Sequence, residues 1–179
     1  MTTSNSALTG ERADLLAILE DQRHNFQITL RGLTEEQAVK RSTVSELTLG
    51  GLVKHLTQTE SQWITTILEP DENAEFDMDS VTDSYQLVAG ESFADAVAKY
   101  EEAATRTKQA IADIENLDVL VPLPTAPWSP ERQWWTARKI LLHIIRETSH
   151  HSGHADIIRE SLDGANTTMQ MGADAGMEF

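Results

Sequence analysis

Five side chains between residues 143 and 154 can bind a metal or move a proton: His143, Glu147, His150, His151 and His154. On a helix, where each residue advances the direction by about 100°, all five fall within one sector about 100° wide. Residues four apart stand one above the other, so Glu147 and His151 can aim a carboxylate oxygen and an imidazole nitrogen at one ion. His143 with Glu147, and Glu147 with His154, share that side of the helix, and the spacing alone leaves the choice among them open. The same stripe is also compatible with a solvated surface or a hydrogen-bonded core network. His150 is expected to be the exposed member. A third ligand has to come from another helix. His55 sits at the edge of the apolar stripe Leu49, Leu52, Val53, Leu56, and is the polar candidate there. A set of two imidazoles and a carboxylate leaves open positions for water or substrate, as a catalytic metal site does.

Positioning these residues requires long helices. Apolar residues at helical spacing predict four, from about Thr9 to Gly32, Thr48 to Leu68, Ser92 to Ile114 and Thr136 to Asp163. A short capping box, Thr34 to Gln37, follows the first. All five prolines lie between these segments or at their edges, where a missing N–H does no harm. Gly164 suits the left-handed residue after a helix end. Four amphipathic helices cannot bury their stripes separately, so the chain is expected to be all-α, a four-helix bundle. It is read as one domain, 1–179, with a core of about 9–164 and an irregular tail, 165–179, from which Phe179 can dock on the surface. No strand pattern competes. Gly50, Gly51 and Gly153 mark places where another backbone could come close, or simple tolerance. Trp63, Trp134 and Trp135 either wall a substrate pocket near the metal or pack the core.

Composition narrows the chemistry further. There is no cysteine, which excludes disulfides, thiolate metal sites and a cysteine nucleophile, so any metal must sit on nitrogen and oxygen. Fourteen Lys and Arg face 29 Asp and Glu, a net charge of −15 that repels phosphate backbones, so no nucleic-acid partner is expected. The acidic stretch from Glu69 to Asp79 reads as a solvated loop and lacks the ligand spacing of a calcium site. Neither a leader at the N-terminus nor an apolar run of membrane-spanning length is visible, and a cytoplasmic protein without membrane attachment is the expectation.

Two stretches, Leu49-Gly50-Gly51-Leu52-Val53-Lys54-His55-Leu56 and Leu141 to Asp156 with its Glu147-Thr148-Ser149-His150-His151 centre, resemble the DinB/YfiT-like superfamily. The similarity is closest to its actinobacterial branch related to mycothiol-dependent maleylpyruvate isomerase. It covers most of the chain and implies a DinB-like four-helix bundle with long crossover loops. Many superfamily members have histidine where Glu147 stands, whereas the His, Glu, His set resembles that of the isomerase. The resemblance thus implies that His55, Glu147 and His151 bind a divalent metal, zinc or alternatively nickel or another ion. His154 nearby is the candidate catalytic residue, orienting a ligand or assisting proton transfer.

The function implied is a metal-dependent thiol S-transferase, in which a low-molecular-weight thiol such as mycothiol arrives as cosubstrate and attacks a small electrophile, a detoxification chemistry. Because the chain ends at Phe179 without the isomerase's additional C-terminal domain, isomerase activity is not expected. The alternatives are a metal-dependent hydrolase and a non-catalytic, stress-associated metal-binding bundle. The resemblance is also compatible with a homodimer.

Overall fold

The computed structural model describes residues 8–79 and 82–177; the first residues, read above for a leader, and Phe179 lie outside them. Four long helices form the body: α1 Glu11–Leu30, α3 Leu49–Leu68, α4 Phe93–Asp113 and α5 Ala137–Asp163, with a single turn, α2 Glu35–Ala38, after the first. Helix α5 packs on α1 and α3, and α4 packs on α3 and more lightly on α1, which closes the bundle.

The helices begin where side chains can satisfy the free N–H groups of a first turn. Thr48 accepts from Gly51, Ser92 from Asp95 and Thr136 from Lys139, each at 3.0–3.1 Å. Thr34 and Gln37 form the reciprocal capping box. Gly164 ends α5 with φ 83°.

Apolar residues form two core clusters rather than one. Leu15, Leu19, Ile64, Ile111, Ile140 and Ile144 belong to the first, and Phe26, Leu52, Leu56, Tyr100, Ala155 and Ile158 to the second. Along every long helix a buried polar residue falls between the two: Arg23, Glu60, Thr107, and on α5 Thr148, His151 and Ser152. Arg23 and Glu60 make a two-pronged ion pair, one arm of which, Nε to Oε2, measures 3.3 Å. The buried Glu60 corrects the expectation that His55 alone is polar against the apolar face of this helix. Ile18, although its helical spacing from Leu15 and Gln22 would place it on the apolar face of α1, is 48% exposed.

Two further expectations need correction. A short antiparallel ribbon, β1 Leu120–Pro122 with β2 Trp134–Thr136, lies in the crossover between α4 and α5. Three-residue strands are too short for an alternating pattern to show in sequence. The tail after Gly164 is not irregular, since it contains α6, Thr167–Asp174. Asn166 caps it at Met169 N (2.9 Å), Asp156 takes both the N–H and the hydroxyl of Thr167, and Arg31 pairs with Asp174 at 2.5 Å. Among the described residues no helix is long and apolar enough to cross a membrane.

Candidate metal centre

His55 projects from the middle of α3, half-buried, and its environment is set one turn earlier. A Cβ at Gly51 would lie 1.9 Å from the carbonyl oxygen of Tyr85, so only glycine lets the segment before α4 settle onto α3. Tyr85 is thereby stacked on the His55 ring, centroids 4.0 Å apart and 18° from parallel. Its hydroxyl lies 3.0 Å from His55 Nε2. Gly50 meets Leu87 and the Ala38 carbonyl in the same way, so this glycine pair serves close packing. At Gly153 a Cβ would meet nothing within 4 Å, and that position is tolerance by a long helix.

Glu147 and His151 occupy successive turns of α5, with Glu147 Oε2 3.8 Å from His151 Nε2. Across the interface the His55 and His151 rings meet edge to face at 4.8 Å. His55, Glu147 and His151 each offer one ligand atom within 4.8 Å of the others. Of the pairings left open on α5, the structure therefore joins Glu147 and His151 with His55. His143 packs edge to face against Trp63 and Trp135, with ring centroids at 4.8 and 5.6 Å, and its Nε2 also stands 3.8 Å from Glu147 Oε1. His150 is exposed. His154 lies behind His151, Nδ1 to Nδ1 at 3.3 Å, on the ring nitrogen that does not face Glu147.

Protonation states suit a cation. Burial, then the neighbouring His55 and His154, push His151 down to about 4 against the opposing pull of Glu147. Burial also lowers His55, again opposed by Glu147. Both imidazoles are then neutral near neutral pH, with a lone pair to offer. Burial works to raise Glu147, but the hydrogen bond from the Arg146 guanidinium at 2.7 Å, with the neighbouring His143 and His151, carries it below the usual carboxylate range. Two neutral imidazoles and one carboxylate are donors that zinc accepts, with a position to spare.

Two cavities adjoin the centre, both touching His55, Thr59 and Gln62. One, about 780 Å³, reaches Tyr85 and has Gln58, Ser61, Glu69 and Asp71 but no indole in its wall. The other, about 560 Å³, reaches Glu147 and has Trp63, Phe76, Trp128 and Trp135 in its wall. Of the tryptophans singled out in the sequence, Trp63 and Trp135 do line a cavity, stacked 5.5 Å apart and nearly parallel, whereas Trp134 is 44% exposed and does not. Tyr85, Phe76 and Trp128 were missed. They sit on connections without periodicity, and only the Gly50-Gly51 pair hints that something packs there.

The sequence model of the mycothiol-S-transferase family matches residues 14–164, from the first helix to the end of α5, and so takes in all three residues of the centre. The chain belongs to this family. No curated protein matches it. Among solved structures, a conserved protein from Enterococcus faecalis superposes with a TM-score of 0.67 at 16% identity, covering 88% of this chain and 100% of the other. YfiT from Bacillus subtilis, described as a probable metal-dependent hydrolase with an unusual four-helix bundle topology, gives 0.55 at 14%, covering 99% and 95%. At these identities the likeness is one of fold, and it identifies the bundle of this transferase family member as YfiT-like.

Proposed function

We propose that this chain is a metal-dependent S-transferase that joins mycothiol to small electrophiles, with His55, Glu147 and His151 holding a divalent cation, zinc in the first instance. The observation that carries this reading is the convergence of those three side chains, from two helices, at the junction of two cavities in a member of the mycothiol-S-transferase family. A bound divalent ion lowers the pKa of a thiol that reaches its open position, and so supplies a thiolate at neutral pH.

The chain's own residues provide the rest. Glu147 brings the negative charge that partly balances the ion, while the two neutral imidazoles leave the centre electrophilic. His154, against the far nitrogen of His151, is a positioning residue that fixes the ring's tautomer and orientation. With no cysteine in the chain, the attacking sulfur has to come from the cosubstrate.

Metal content of purified protein, measured beside His55→Ala, Glu147→Ala and His151→Ala, tests the centre. Each variant is expected to lose at least about tenfold in affinity and most of its transfer of mycothiol to an electrophile. Full metal retention by all three would overturn the site. Turnover that proceeds in water without any thiol would favour hydrolysis instead.

A further inference from the structure

Only one of the two cavities is walled by indoles, and that difference bears on which substrate each receives. We propose that the cavity walled by Trp63, Phe76, Trp128 and Trp135 is the electrophile's site and selects flat aromatic electrophiles, leaving the cavity beside Tyr85 to the thiol. This assignment rests on the transferase reading above.

Three observations carry it. First, the aromatic cavity reaches Glu147 and His55 directly, so a ring held there lies beside the centre. Second, Trp128 is 66% exposed although it is held edge to face on Phe76 at 5.1 Å. Its segment is fastened by Ala126 N to Ser129 O (3.1 Å) and Ser129 N to Ala126 O (2.8 Å). An indole face held in place beside a cavity offers an apolar partner a surface to stack on at little ordering cost. Third, Trp63 and Trp135 lie within 4° of parallel, a rigid pair whose ordering cost is already met by folding. Electron-rich indoles favour electron-poor rings, and electron-poor rings bearing a leaving group are the ones that thiolates attack.

The reaction balances without a further reagent. With chlorodinitrobenzene, the thiol sulfur forms a bond to the ring carbon, the carbon–chlorine bond breaks, chloride leaves with the bonding pair, and the thiol proton passes to solvent.

Trp128 is the residue to change, because its exposure makes misfolding of Trp128→Ala a small risk. The ratio of kcat/KM for chlorodinitrobenzene to that for the aliphatic electrophile iodoacetamide, both with mycothiol, is expected to fall about tenfold in Trp128→Ala and to recover in Trp128→Phe. Titration calorimetry with unreactive dinitrobenzene should show the same loss of affinity in the absence of turnover. An unchanged ratio, or equal dinitrobenzene affinity in wild type and Trp128→Ala, would overturn the assignment. If dinitrobenzene binds the wild type and is lost in Trp128→Ala while no electrophile accepts the thiol, the cavity assignment is supported and the transferase reading fails.

Discussion

A histidine that stays neutral at the pH where most histidines begin to protonate makes a measurable demand on the metal-free protein. His151 is 5% exposed and is pushed down to about 4 from the ordinary 6.5, chiefly by burial. Between those two values the unfolded chain binds a proton that the folded chain refuses, so stability rises with pH there and levels off above 6.5. The thermal midpoint of metal-stripped protein should therefore fall on acidification through this window, with a shallower slope in His151→Gln. A midpoint that climbs as the pH drops would contradict the burial of a neutral ring. The grouping of His55, Glu147 and His151 was partly visible in sequence, because a helix puts residues four apart on one side and an apolar stripe shows which way it faces. Choosing Glu147 and His151 over His143 and His154 needed the family resemblance, since all four share a face. Arg23 and Glu60 were invisible as partners: they stand 37 residues apart, and charged residues in an amphipathic helix normally read as its wet side.

At the scale of elements, four long helices were legible because their caps, breaks and apolar spacing agree. Their predicted ends moved by only a residue or two. The connections were not, since the contacts that order them are between distant segments. Thr125 pairs with the acidic 69–79 segment through Phe76 N to Thr125 O at 2.8 Å and Thr125 N to Ala74 O at 3.1 Å. Arg132 reaches the Ala74 carbonyl at 3.0 Å. The docking of Tyr85 is of the same kind, and it depends on Gly51. Gly51→Ala must push the Tyr85 carbonyl out of the space a methyl would take. It is expected to cost about 1–3 kcal/mol of stability in denaturant unfolding. It should also separate the Tyr85 ring from His55, seen as a shift of the His55 imidazole resonances in NMR. A variant as stable as wild type with unmoved resonances would show that the segment is not held by this contact.

For the whole molecule, the polar residues between the two core clusters have an energetic meaning. Arg23 and Glu60 are 5% and 2% exposed, and taking two charges out of water costs several kcal/mol that their mutual attraction has to offset. Glu60→Ala strands a guanidinium in the core and is expected to destabilise by about 3–5 kcal/mol, whereas Arg23→Leu with Glu60→Leu should be close to neutral or stabilising. Equal losses from the single and double variants, by calorimetric or denaturant unfolding, would mean that packing and not charge governs this layer. Sequence could show that each helix had an apolar stripe, but not that the stripes would be interrupted at one level across the bundle. The ribbon of β1 and β2 carries a different consequence. Its strands anchor both ends of the stretch 123–133, which brings Trp128 to the cavity mouth, while the metal-site candidates all reside on α3 and α5. Within that stretch Leu123 is tied into the same core cluster as Ile64 and Ile144, so descendants of this scaffold can vary the exposed turn around Trp128 while the helices that carry the metal-site candidates stay in place. The wall that Trp128 gives the cavity can thus change by substitution in one turn, independently of α3 and α5.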